Sequence, residues 1–163
     1  MKIGIVSDTH LTRDNFELPV KLTKELKKCD LIIHAGDLVD LCVLDALSKL
    51  SKVLAVCGNM DGHSVSAQLK TKEIISVENK KICVMHGYGH PGKLVDILKN
   101  ELFSEKPNII IFGHSHAPKN EYIDGVLFFN PGSVTDTVYA PYRSYGTIEI
   151  SKDGDIKAEI HKL

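Results

Sequence analysis

Short, nearly continuous apolar runs recur along the chain at Lys2–Ser7, Asp30–His34, Lys52–Cys57, Lys81–Met85 and Asn108–Phe112. Several, such as Leu31-Ile32-Ile33 and Ile109-Ile110-Ile111-Phe112, are apolar throughout. Strands buried on both faces have this pattern. Between the runs, apolar residues fall at helical spacing. Leu18, Leu22 and Leu26 are four apart, with Pro19 tolerable in a first turn. Leu41, Leu44 and Leu47 follow i, i+3, i+6, and Leu94, Ile97, Leu98 and Leu102 form a face at i, i+3, i+4, i+8. Strand–helix–strand alternation predicts an α/β domain with parallel pairing and right-handed crossovers. After Phe112 the rhythm changes. Val126–Phe129 reads as a short strand, and Tyr145–Ser151 and Ile156–Lys162 flank Lys152-Asp153-Gly154-Asp155 as an antiparallel hairpin. The tail is therefore expected to form a second, antiparallel sheet. No repeat, low-complexity tract or linker interrupts the pattern, so residues 1–163 are read as a single domain.

Composition narrows the functional classes. The 163 residues suffice for one real core, and a net charge of −1 gives no electrostatic case for nucleic acid or an anionic membrane as partner. No apolar stretch reaches the roughly 20 residues of a membrane span. The chain starts directly in a strand-like run without a signal peptide's layout, so cytoplasmic residence is the expectation. Cys29, Cys42, Cys57 and Cys83 form no Cys-x-x-Cys pair, which argues against a thiolate metal site. Cys57 and Cys83, inside apolar runs, read as small buried hydrophobes.

The chemistry lies where the apolar runs end. Ser7-Asp8-Thr9-His10, His34-Ala35-Gly36-Asp37, Gly58-Asn59-Met60-Asp61, Met85-His86-Gly87 and Gly113-His114-Ser115-His116 each follow one of the five runs. In open α/β sheets, ligands bind at the carboxyl ends of strands. Each segment alone has an ordinary explanation: Asp37 as a helix N-cap, Gly58-Asn59 as a turn. Together they bring two carboxylates and four histidines to one sheet edge, where burial without charge partners would be costly. Two dications remove that cost, and against the two aspartates they leave a positive charge suited to phosphate. Imidazole and carboxylate favour manganese, iron, nickel or zinc over calcium or magnesium.

The order Asp-x-His, Gly-Asp, Gly-Asn, His, Gly-His-x-His resembles the calcineurin-like metallophosphoesterase family, and most closely its small archaeal and bacterial phosphodiesterase branch. The likeness runs from Lys2 to about Ser133. It implies a four-layer α/β/β/α sandwich of two packed mixed β-sheets. It also implies two divalent ions per chain, manganese foremost, with nickel, iron or zinc as alternatives. Asp8, His10 and His116 would hold one ion, Asn59, His86 and His114 the other, and Asp37 would bridge them. The implied reaction is hydrolysis of a small phosphodiester by a metal-bridging hydroxide, with Asp37, Asn59 and His114 as the catalytic set. One departure is visible: many relatives have a histidine general acid directly after Gly-Asn, where this chain has Met60. That substitution favours diesters with good leaving groups over monoesters. A broad phosphomonoesterase and a non-catalytic protein-binding scaffold, as in the retromer subunit of this fold, are the alternatives.

Further candidates are weaker. Asn130-Pro131-Gly132-Ser133 resembles a segment near the family's metals, and Arg143 has the fork to bind a phosphate. Tyr88 and His90 are candidate replacements for the missing acid. His34 reads as a packed or supporting histidine, and His63 and His161 as surface residues. The tail hairpin offers an edge strand, from which a homodimer is a further expectation.

Overall fold

The five apolar runs all become strands, but in two sheets rather than one. The computed structural model describes residues 1–163. Its strands are β1 (Lys2–Val6), β2 (Leu31–His34), β3 (Lys52–Ala55), β4 (Lys72–Val77), β5 (Lys80–Met85), β6 (Ile109–Ile111), β7 (Lys119–Ile123), β8 (Val126–Asn130), β9 (Ser144–Ile150) and β10 (Ile156–Lys162). The α-helices are α1 (Val20–Leu26), α2 (Cys42–Ser48), α3 (His63–Ser66) and α4 (Leu94–Leu102). The first sheet has the order β10-β9-β1-β2-β3 and the second β4-β5-β6-β8-β7. β1, β2 and β3 pair in parallel, as do β5, β6 and β8.

Side-chain alternation explains the layering, because successive strand residues point to opposite faces. Ile3, Ile5 and Ile33 meet Ile82, Val84, Ile109 and Ile111 between the sheets. Their neighbours face outward. Val6 and Ile32 pack under Leu22 and Leu26 of α1, Val43 and Leu47 of α2 and Val65 of α3. Cys83, Ile110 and Phe128 pack under Leu94, Leu98 and Leu102 of α4. The result is the α/β/β/α sandwich. No helix is long and apolar enough to cross a membrane.

The tail departs from the expected second antiparallel sheet. β9 and β10 do form a hairpin, but β9 pairs antiparallel with β1 and extends the first sheet. Six of the seven β9 residues are buried, and a strand so covered needs a sheet on both sides of it. β8 joins the second sheet parallel to β6. Two strands have no counterpart among the apolar runs. β4 and β7 are edge strands, each the first arm of a tight hairpin whose turn, Glu78-Asn79 or Asp124-Gly125, has positive φ at both residues.

Candidate metal centre

Five loops leave the carboxyl ends of parallel strands and meet over the seam between the sheets. Asp8 and His10 follow β1, Asp37 follows β2 and Asn59 follows β3. His86 follows β5, and His114 and His116 follow β6. Five of these seven side chains sit on left-handed backbone: Asp8 at φ 51°, His10 at 45°, Asp37 at 57°, His114 at 68° and His116 at 54°. Such conformations cost of order 1–3 kcal/mol each and persist where the surroundings enforce them. Glycine makes the close packing possible. A Cβ on Gly113 would lie 2.0 Å from Ser7 Oγ and 2.7 Å from Asp8 Oδ2.

Two groups of donor atoms result, and they overlap at Asp8. In the first, Asp8 Oδ1 lies 3.3 Å from His116 Nε2 and 4.0 Å from His10 Nε2, and the two imidazole nitrogens are 3.3 Å apart. In the second, His86 Nε2 lies 3.2 Å from Asp37 Oδ2 and 3.8 Å from Asp8 Oδ1. Ligand bonds of about 2.0–2.2 Å in a tetrahedron separate donors by about 3.4 Å, so both groups have edges of the right length. Asp37 Oδ2 is also 3.8 Å from His10 Nε2, which places this carboxylate against both groups. Asn59 and His114 belong to neither. His114 Nδ1 is 2.9 Å from Asn59 Oδ1, and its Nε2 donates to the Gly89 carbonyl at 2.8 Å. Both side chains line the same open cavity of about 470 Å³ as His10, Asp37 and His116.

The donors fit a cation. Asp8, Asp37 and His86 are each at most 2% exposed, and no lysine or arginine pairs with either carboxylate. His86 Nδ1 hydrogen-bonds to the Ala35 carbonyl at 2.7 Å, which turns Nε2 toward the carboxylates. That Nε2 is the one buried side-chain polar atom in the molecule without a hydrogen-bond partner. A buried nitrogen without a hydrogen-bond partner, facing two buried carboxylates, is a donor set that fits a divalent ion. Burial works to lower the His86 pKa, but Asp37 and Asp8 outweigh it and the net shift is upward. Burial likewise works to raise Asp37, and His86 with the Met60 N–H brings it down instead. The Asp8 carboxylate, seconded by Asp136, raises His116 to about 9 despite partial burial.

The surrounding polar groups fix these side chains. Asp61 accepts the N–H groups of Val39 and Gly58, each at 2.7 Å, and of Asp37 at 3.1 Å, tying the Gly-Asp loop to the Gly-Asn loop. Asn130 donates to the Gly113 carbonyl at 2.8 Å and Ser133 Oγ to the Asp8 carbonyl at 2.7 Å, so this segment braces the loops without facing the cavity. His34 lies fully buried between Thr9 Oγ1 and the Gly36 N–H, and burial pushes its pKa down to about 3. Arg143, Tyr88 and His90 do not line the cavity. Tyr88 donates to Glu101 and His90 Nδ1 accepts the Gly92 N–H.

Sequence reasoning missed Asp136. Its carboxylate lies 2.5 Å from His116 Nδ1 and also accepts the N–H groups of Val138, Tyr139 and Ala140. Burial opposes its charge, yet His116 and those amides lower its pKa to about 2. The available signal was faint: an Asp in a loop of small polar residues, three positions after Ser133.

A family model for the calcineurin-like phosphoesterase superfamily domain matches residues 1–153. A probable metallophosphoesterase of Methanocaldococcus jannaschii is 42% identical over 138 residues, spanning 83% of this chain and 69% of that one. A phosphodiesterase of the same organism is 30% identical over 144 residues, spanning 81% of this chain and 83% of that one. In fold, the chain resembles the zinc-complexed Vps29 of Entamoeba histolytica, with a TM-score of 0.75 and 24% identity over 99% of both chains.

Proposed function

The chain belongs to the calcineurin-like phosphoesterase superfamily, and from that membership we propose that it is a phosphodiesterase served by two divalent metal ions. The observation that carries the two-ion reading is the pair of donor groups sharing Asp8, with the orphaned His86 Nε2 in one of them. Asp8, His10 and His116 would hold one ion, and His86 with Asp37 the other. Asp37 would bridge, since its Oδ2 faces a histidine of each group. Asn59 and His114 would complete the second ion's shell by exchanging their mutual hydrogen bond for it. The ions would polarise a phosphate oxygen and lower the pKa of a water held between them.

The chain's own groups supply orientation. Met60 N–H fixes Asp37 Oδ1 at 2.7 Å, which leaves Oδ2 free for the site. The His114 N–H holds the Asp8 carboxylate from above at 3.2 Å from both oxygens. Met60 supplies no proton to the leaving alcohol, which favours diesters with acidic leaving groups. The relative named a phosphodiesterase agrees with that preference. Imidazole and carboxylate donors suit manganese first, with iron, nickel and zinc as alternatives.

The test is hydrolysis of bis(p-nitrophenyl) phosphate and of p-nitrophenyl phosphate by metal-stripped protein, with and without added Mn²⁺. Metal-dependent turnover with the diester ahead of the monoester is expected, and Asp37→Asn should abolish it. A monoester preference would reverse the substrate assignment. Tight metal retention with turnover of neither ester would favour the protein-binding scaffold.

A further inference from the structure

The cavity above the donor atoms is lined by two unlike kinds of side chain. His10, Asp37, Asn59, His114 and His116 share it with Met60, Thr135, Asp136 and Tyr139. Met60 is 58% exposed and Tyr139 83%, and Val138 beside it is 78% exposed. Single exposed apolar residues are ordinary, but a group of them at the mouth of a polar cavity marks a binding surface. Tyr139 belongs to none of the three apolar clusters and stacks on no other ring. Its ring is therefore free for an outside partner.

The segment that carries the ring is fixed. Asp136 accepts the N–H groups of Val138, Tyr139 and Ala140 at 2.7, 3.1 and 3.0 Å, and Ser133 Oγ accepts those of Thr135 and Asp136. The same Asp136 carboxylate contacts His116. The position of the Tyr139 backbone is thus referred to a metal-site histidine through one side chain. No lysine or arginine lines the cavity, so nothing there would neutralise a second or third phosphate. What Tyr139 and Met60 offer a ligand is a flat face and a polarisable thioether.

We infer that Tyr139, in the cavity that Met60 also lines, is a stacking platform for a planar aromatic group carried on one ester arm of the substrate. This deepens the phosphodiesterase reading and rests on it. The substrate class is a singly charged phosphoester with an aryl or nucleobase group close to phosphorus, rather than a polyphosphate or an aliphatic diester.

Binding tests the platform independently of turnover. Calorimetry with Mn²⁺-loaded protein compares methyl phenylphosphonate with methyl methylphosphonate, two singly charged probes that share a head group and differ in the flat ring. Stacking of one ring predicts a phenyl preference of about tenfold in the wild type. Tyr139→Ala should bring that ratio close to one, and Tyr139→Phe should keep it. The 83% exposure of Tyr139 means that neither variant should disturb folding. Equal affinities in the wild type, or a preference that survives Tyr139→Ala, would overturn the platform even if diesters are hydrolysed. A Tyr139-dependent preference without any hydrolysis would uphold the platform and sink the phosphodiesterase reading.

Discussion

Replacing Asp136 by Asn keeps the size of a side chain that touches His116 and removes its charge. Two effects follow, and they oppose each other. The first is orientation: Asp136 fixes the ring whose Nε2 faces Asp8. Losing such a partner typically weakens metal binding 10–100-fold, or about 1.4–2.7 kcal/mol. The second is proton competition. His116, held at about 9 by Asp8 first and Asp136 after it, must shed its proton before it can donate to a metal. Without the Asp136 charge that proton leaves more easily, and the gain offsets part of the orientation loss at low pH. Asp136→Asn should therefore weaken Mn²⁺ binding more at pH 8.5 than at pH 6.5, as read by calorimetry. The metal-free protein gives a second readout. A histidine raised from 6.5 to about 9 stabilises the fold fully below about pH 6.5 and stops doing so as the pH rises through 9. The full shift corresponds to about 3 kcal/mol, and the histidine's place at the cavity rim reduces that to about 1–2 kcal/mol through solvent screening. The variant should lose less stability across this window than the wild type. Equal metal affinities at both pH values, together with equal stability slopes, would refute the role assigned to Asp136.

Three further outcomes are expected. Gly113→Ala places a Cβ 2.0 Å from Ser7 Oγ and 3.0 Å from His86 Nδ1, so it should cost about 1–3 kcal/mol in urea denaturation and weaken metal binding. Unchanged stability and binding would mean the loop yields freely. His34 is held at about 3, so the stability its neutral form confers is present above about pH 6.5 and falls as the pH drops toward 3. His34→Gln in metal-free protein should flatten that acid limb, and an identical limb would count against the assignment. Chelation should lower the melting temperature and Mn²⁺ restore it, because a bound ion would satisfy the His86 nitrogen that no protein group hydrogen-bonds. A melting temperature indifferent to both would argue against a resident ion.

Much of this architecture was legible because the chemistry sits where the hydrophobic pattern stops. A β-branched run followed by glycine and a donor locates a strand end and a candidate ligand together, as at Ile33-His34-Ala35-Gly36-Asp37. The division into two sheets was not legible. Leu31–His34 and Ile109–Ile111 are both covered on two faces, and equal burial leaves the same hydrophobic signature in either sheet. The edge strands were hidden for the opposite reason. Lys119-Asn120-Glu121-Tyr122-Ile123 is largely exposed, and edges tolerate charge. The hairpin turn Asp124-Gly125 next to it was the readable sign of β7. Asp136 escaped because its role depends on a contact with His116, 20 residues away, that no local pattern encodes.

The pairing of β1 with β9 has a consequence for the order in which the molecule assembles. Lys2 lies opposite Glu149, whereas every strand of the second sheet falls between Lys72 and Asn130. During synthesis the second sheet is complete before β9 exists. At 5–20 residues per second, β1 waits on the order of 10–30 s for its antiparallel neighbour. Through that interval it has β2 on one side and a bare apolar edge on the other. A nascent chain stopped short of Ser144 would carry His116 and Asp136 yet still present that edge to other chains. A chain truncated before β9 is thus expected to aggregate more readily than one that includes it, although β9 supplies none of the residues at the site.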